Sequence, residues 1–216
     1  FIALSLWAWV AAVRRQWLYA GVLAAGATLV RVNGLFLMVA LFVLLLTSDR
    51  TRWRQGWSLL LPAIVAAGHF TYLQRVTGSW TAWRDSMSDN FGRSFVDPVT
   101  SFVNTYNLVF DYIPGTISSR FVIEILTAFT LIAFTVILLS WRYWAEATYV
   151  GLTTLSLITA DLYQALPRSL LVLFPIWLVI ARWMTANKAA RIGYIALAIP
   201  GLALTSYLFS YQQWIS

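Results

Sequence analysis

The chain has 216 residues, 60% of them hydrophobic and only 11% charged, with no cysteine and a mean hydropathy of +0.73. Soluble domains run at roughly 45–50% apolar and about 25% charged; this composition excludes an ordinary soluble domain and predicts an all-α, polytopic transmembrane helical bundle. The net charge of +7 admits a nucleic-acid surface or an excess of Lys and Arg on the cytoplasmic side of a membrane, and the positions of the charges decide between them.

The chain opens at Phe1, already inside an apolar run, with no Met and no charged n-region. It reads as the C-terminal portion of a larger polytopic protein, residues 1–216 forming a single transmembrane domain. Apolar stretches without charge occupy 1–13, 16–30, 35–47, 57–73, 125–141, 147–160, 169–181 and 192–210. Crossing the hydrocarbon core takes about 20 helical residues, or roughly 17 at minimum. The segments 57–73, 121–140, 168–185 and 192–210 meet that requirement, and 145–160 is marginal. Residues 16–30 and 35–47 are too short and are interrupted by Arg31, Asn33 and Gly34, the pattern of a broken or re-entrant pair. Ala20, Gly21, Ala24, Ala25 and Ala27 give the first of these a small-residue face for close packing.

Charge sets the orientation. Nine basic residues (Arg14, Arg15, Arg50, Arg52, Arg54, Arg142, Arg182, Lys188, Arg191) lie at one set of span ends with Asp49 and Glu146, a net of +7. The other side holds six Arg and six acidic residues and is neutral. The positive-inside rule makes the first side cytoplasmic, so the charge reports topology and nucleic acid is not expected as a partner. Residues 74–120 form a long external loop. Within it Asp97 is placed as an N-cap, Pro98 at the first helical position and Pro114-Gly115 at the stop. Val99, Phe102, Val103, Tyr106, Val109, Phe110 and Ile113 make an apolar stripe, opposite Thr100, Ser101, Asn104, Asn107 and Asp111, which predicts a helix lying in the membrane interface. Trp7, Trp9, Trp17, Trp53, Trp57, Trp80, Trp83, Trp141, Trp144, Trp183 and Trp214 fall near predicted span ends, as an aromatic belt.

Three constellations carry possible chemistry. Arg31 with Asn33 and Gly34 offers a planar donor fork suited to phosphate, at a depth where an ionised group needs a partner or a polar cavity; the alternative is an Arg that snorkels to the outer interface. Asp161 to Arg168, with Gln164 between, lies at the outer mouth of two spans. Arg168 follows Pro167 at a helix start, where guanidinium and free N–H groups would face an anion together; the alternative is an Asp161–Arg168 pair that closes a loop. In 78–93, Trp83 and neighbouring aromatics interleave with Arg84 and Arg93, as they would to stack on a sugar and neutralise a phosphate. There Asp85 and Asp89 share a face if the segment is helical; the alternative is a solvated loop with interfacial anchors. His69, the only histidine, is expected to be packed and hydrogen-bonded, without metal spacing. No P-loop, GxSxG or HExxH pattern is present.

In this order the constellations resemble the PIG-V-like mannosyltransferase family, relatives of GPI mannosyltransferase 2 in the GT-C superfamily. The resemblance runs through Trp17 to Gly34 with its Arg31-Val32-Asn33-Gly34, His69 to Leu73 followed by Thr77-Gly78, Phe91-Gly92-Arg93 with Asp97-Pro98, and Leu166-Pro167-Arg168 with Leu171 to Pro175. Ser88, Phe91 and Ser169 stand where the family commonly has Gln, Trp and Tyr. The resemblance implies a GT-C-like fold and transfer of mannose from a polyprenyl- or dolichyl-phosphate carrier to a glycan or glycolipid hydroxyl. The site would lie on the non-cytoplasmic side of a prokaryotic plasma membrane, or of the ER membrane in a eukaryote. It implies Arg31, Arg93 and Arg168 at the donor phosphate, and Asn33, Trp83 and Gln164 at the substrate. The main general base would lie upstream of residue 1, with Asp89 and Asp161 as local substitutes; neither a metal site nor a cofactor is evident. Two other classes use the same features: a transporter or flippase of a lipid-linked or polar substrate, and a non-catalytic subunit of a glycosylation complex.

Overall fold

Small residues bring the first helices together. The computed structural model describes residues 1–48, 50–91, 94–111 and 119–210. Helix α1 (Ile2–Val13) turns into α2 (Trp17–Val30), and a three-residue break leads to α3 (Gly34–Ser48). The predicted alanine and glycine face of α2 is buried throughout. A Cβ on Gly21 would fall 2.2 Å from the Ser58 carbonyl oxygen, and the Ser58 hydroxyl donates 2.8 Å to the Trp17 carbonyl. Ser58 belongs to a 3₁₀ segment, Arg50–Leu60, which runs into α4 (Leu61–Thr77) with Pro62 in its first turn, where the missing N–H costs nothing.

The remaining elements are α5 (Ala82–Phe91), α6 (Pro98–Asp111), α7 (Ser119–Ser140), α8 (Trp144–Ile158), α9 (Leu166–Leu170), α10 (Phe174–Ala186) and α11 (Lys188–Ser210). Among the described residues the one β-type pairing is an isolated bridge between Phe95 and Ala160, so the all-helical expectation holds. The described part of the segment expected as an external loop holds two helices, α5 and α6. Asp97 caps α6 as expected, its Oδ1 accepting the N–H groups of Val99 and Thr100 at 3.0 Å; the expected stop at Pro114-Gly115 lies outside the described residues.

The principal core joins α1, α2, α3, α7, α8 and α10. At its centre Phe174 lies edge-on to Trp9 (5.3 Å between centroids) and tilted against Tyr149 (5.5 Å). Trp9 and Trp17 are therefore core residues, Trp17 being 2% exposed, and not members of an interfacial belt; Trp7, Trp57, Trp80, Trp83, Trp141, Trp144 and Trp183 are exposed. A smaller cluster of Ala128, Tyr163 and Leu166, with Phe102 against it, ties α6 and α7 to the segment before α9.

Among the described residues two helices are long and apolar enough to cross a membrane, Gly56–Thr77 and Arg120–Ser140. The segment 168–185, expected as one span, is broken at residues 171–173 between α9 and α10. Pro175 has no N–H to return to the carbonyl four residues back, so α9 cannot run through it. Leu173 leaves helical geometry (φ −85°, ψ 69°), and α10 starts at Phe174 with Pro175 in its first turn. Residues 192–210 are helical within α11, which carries Pro200 inside it. Its Leu197 is 78% exposed and, like Ile199 and Leu202, lies bare on the surface.

Gly21→Ala should destabilise the fold by about 1–3 kcal/mol through overpacking. Its melting temperature in detergent should fall on a scale of about 2–4 °C per kcal/mol. Gly68→Ala, where an added Cβ meets nothing within 4 Å, should leave it unchanged or slightly higher.

Candidate functional site

The break after α2 is built by Thr28 and Gly34. The Thr28 hydroxyl returns to the Ala24 carbonyl at 2.9 Å, and a Cβ on Gly34 would lie 2.5–2.6 Å from Thr28. The chain doubles back here, as the sequence required of Gly34. Arg31 leaves the helix in an extended conformation (φ −157°) and is exposed. It lines a cavity of about 150 Å³ with Thr28, Val32, Val65, His69 and Phe70, and it lies within electrostatic reach of the Tyr149 hydroxyl. Asn33 is half-buried on the turn, its carbonyl accepting the Phe36 N–H at 3.0 Å. His69 is exposed on α4, edge-on to Phe70 at 6.1 Å. The expectation of a packed histidine is corrected, because α4 turns this face toward the cavity mouth and away from the core.

The second region is the connection between α8 and α9. The Asp161 carboxylate accepts a hydrogen bond from Asn104 Nδ2 at 2.8 Å, and the same amide reaches the Asp161 carbonyl at 3.3 Å. The Ser101 hydroxyl donates to the Ala160 carbonyl. The Thr105 hydroxyl accepts the Tyr163 N–H at 3.0 Å, and the Asp161 N–H donates to the Ser94 carbonyl at 2.9 Å. Burial holds the Tyr163 phenol above the ordinary tyrosine range. Helix α6 thus turns its small polar residues inward and leaves Val99, Val103, Tyr106 and Phe110 exposed.

A few residues on, Glu124 of α7 is fully buried. One carboxylate oxygen accepts the Ala165 N–H and the other the Leu166 N–H, both at 2.8 Å. Ala165 adopts the left-handed conformation (φ 59°). The expectation that free N–H groups at the start of α9 would join Arg168 in holding an external anion is corrected: these two already hold an internal one. Arg168 is exposed and Gln164 half-buried. Asp161 and Arg168 form no ion pair among the described residues; the Asp161 carboxylate is engaged by Asn104 instead.

The third region is α5. Asp85 and Asp89 lie one turn apart on it, Asp85 accepting the Thr81 hydroxyl at 2.7 Å and Asp89 the Ser88 hydroxyl at 3.2 Å. Asp89 and Trp83 are both exposed, and α5 packs on α4. Arg93 lies outside the described residues. The structure therefore joins Arg31 to His69 in one cavity and gathers Asp161, Gln164 and Arg168 on one tethered segment, while Asp89 and Trp83 stand on a separate helix. Among the described residues no three His, Asp or Glu side chains gather as a metal set would require.

Contacts also sort by side. Trp17 and Gly21 meet Ser58 at one end of α2, while Thr28 and Arg31 meet Val65 to Phe70 at the other, so α2 and the 56–77 segment run parallel. Arg182, given to the positive side by charge, meets Tyr143, the neighbour of Arg142 on that same side, through its guanidinium and the Tyr143 hydroxyl. Glu124 and the inward face of α6 were not foreseen as site elements. The signal for Glu124 was present as one carboxylate in an otherwise apolar stretch from Phe121 to Leu139.

No family model, curated protein or solved structure matches the chain.

Asp97 holds α6 in register, and its carboxyl lies below the ordinary aspartate range, chiefly because the Thr100 hydroxyl donates to it and the Thr100 N–H adds a second bond. A lowered pKa means that this support is complete above the ordinary aspartate value and is lost as pH falls through the depressed one. An NMR titration of the Asp97 carboxyl should place its midpoint below about 3.9, and Thr100→Val should move the midpoint upward.

Proposed function

We propose that the protein is an integral membrane glycosyltransferase of the PIG-V-like kind. It would move mannose from a polyprenyl- or dolichyl-phosphate carrier to an acceptor hydroxyl on the non-cytoplasmic side. The observation that carries this reading is the cavity beside the α2–α3 break. Two motifs of the resemblance, 35 or more residues apart in sequence, both line it: Arg31 with its turn, and His69 with Phe70.

A bilayer accounts for surface that water does not explain. Leu29, next to this cavity, is 70% exposed, and Ile64, Leu126, Val136 and Leu197 are exposed as well. In lipid such side chains cost nothing, whereas in water each exposed one forgoes the burial that stabilises a soluble fold. Helices of 12–15 residues, such as α1, α2, α3 and α8, are too short to span alone. They fit a bundle whose ends lie at different depths and whose polar breaks face protein or a wet cavity.

In the transfer itself the acceptor oxygen bonds to the anomeric carbon as the bond from that carbon to the phosphate oxygen breaks. The electron pair stays on the phosphate, whose charge rises. A guanidinium at that oxygen stabilises the change more in the transition state than in the ground state. Arg31 is assigned this role at the cavity, with Arg168 supporting the carrier phosphate. The acceptor proton passes to a carboxylate. Of the two local candidates, Asp161 is favoured over Asp89, because Asn104 fixes its orientation and Asp89 stands on exposed α5.

Membranes containing the protein, incubated with radiolabelled polyprenyl-phosphate-mannose, should incorporate label into acceptor. Arg31→Ala should lower transfer by roughly 10²–10³-fold with the protein retained in the membrane fraction. Arg31→Lys, which keeps charge and loses the fork, should recover part of it. Label that crosses the bilayer without incorporation would identify a flippase instead.

A further inference from the structure

Among the described residues Glu124 is the one fully buried charged side chain, and it is the only charged residue of α7 after Arg120. Burying a carboxylate is costly unless hydrogen bonds compensate it. Here both oxygens are engaged, by Ala165 and Leu166 at 2.8 Å. Joining two helices does not require this expense. The α1–α2 and α7–α8 turns are closed by backbone bonds, Gln16 N–H to the Ala11 carbonyl at 2.9 Å and Tyr143 N–H to the Leu138 carbonyl at 3.0 Å. The α8–α9 segment is held instead by side chains from two other helices: Ser101, Asn104 and Thr105 of α6 on residues 160–163, and Glu124 of α7 on residues 165 and 166. It rests on the apolar cluster of Ala128, Tyr163 and Leu166. A segment fixed in this way can present a side chain at a set place.

We propose that Glu124 is a positioning residue: it clamps the start of α9 so that Arg168, which begins two residues further on, is held in place for the phosphate of a lipid-linked sugar. This rests on the glycosyltransferase reading above. Glu124 is assigned positioning and not the general base, since it is fully buried and each of its oxygens accepts a backbone N–H. Its removal acts through Arg168 and therefore on donor binding. Glu124→Gln replaces one acceptor oxygen by an amide NH₂ that faces a backbone N–H, which leaves a buried donor unsatisfied.

The chain has no cysteine, so Ser169→Cys supplies a single thiol. Ser169 is buried against the same turn, its hydroxyl donating to the Ala165 carbonyl at 3.0 Å. In membranes a soluble maleimide should label Cys at this position slowly, and Glu124→Gln should speed labelling at least tenfold; unchanged labelling overturns the clamp. In the transfer assay Glu124→Gln should raise KM for polyprenyl-phosphate-mannose at least tenfold with a smaller change in kcat. Glu124→Asp, with charge and both oxygens retained, should recover part of the loss. Added to Arg168→Ala, Glu124→Gln should cost less than a further twofold, because the two act as one unit. Additive losses, or an unchanged KM beside faster labelling, overturn the positioning role. Absence of transfer by the unmodified protein overturns the glycosyltransferase reading and with it the link to a sugar phosphate; the labelling comparison still decides the clamp.

Discussion

A helix that ends inside an apolar bundle leaves backbone N–H and C=O groups without partners, and the chain must supply them from within. This protein breaks its helices repeatedly and answers the constraint in three ways. The α1–α2 and α7–α8 turns close on themselves, with one left-handed residue and paired backbone hydrogen bonds. The α2–α3 break is tightened by the Thr28 hydroxyl and by the close approach of Gly34, and it leaves Arg31 extended at a cavity. The α8–α9 segment borrows a carboxylate from α7 and small polar side chains from α6. The cheaper solutions make connections; the two that draw on particular side chains carry the candidate site.

Helix α7 links the two halves of this arrangement. It packs against α6, α8 and α9, and Phe102 of α6 meets Phe129 of α7 edge-on at 6.0 Å. The more apolar of the two candidate spans thus also bears the buried carboxylate. A displacement of α7 would move the α8–α9 segment through Glu124 and α6 through Phe102 together. The cavity at Arg31 depends on a different contact, the parallel run of α2 beside the 56–77 segment, set by Gly21 and Ser58. Arg31 and Arg168, the arginines proposed for the carrier phosphate, are therefore held by separate supports.

The features legible in the sequence were those that depend on composition or on near neighbours in the chain. Helical class followed from apolar length, the α6 cap from Asp97 and Pro98, and the turn from Gly34. The buried face of α2 followed from its alanines and Gly21. The 168–185 break was hidden because apolar content dominates a hydropathy scan, whereas a single Pro175 decides whether the helix continues. Glu124 was hidden for another reason. Its partners, the N–H groups of Ala165 and Leu166, belong to the backbone and leave no mark in side-chain chemistry, and they lie some 40 residues away. The same holds for Ser101 and Thr105. The sequence pattern places Ser101 on the polar side of an interfacial helix and Thr105 on neither side, whereas their partners are a loop carbonyl and a loop amide that only the fold brings near.

Two of the left-handed residues are arginines, Arg15 and Arg142, each at φ 61°. A non-glycine residue there carries a strain of roughly 1–2 kcal/mol that glycine avoids. Both are closed by the same pair of backbone bonds, so the turn geometry does not ask for a guanidinium. Both also fall on the side where nine of the fifteen basic residues gather. Under the proposed topology the strain has a counterpart. A tight turn is the shortest loop between two helices, and a charge placed in it sits next to both helix ends, where Lys and Arg act most strongly on orientation. Glycine would make the turn easier and leave the orientation of its two helices less determined. The opposite side is neutral in sum and can therefore keep its arginines for ligands rather than for sidedness. Under the proposed function, that division of the fifteen cations would leave one set to orient the chain and another to meet an anionic carrier.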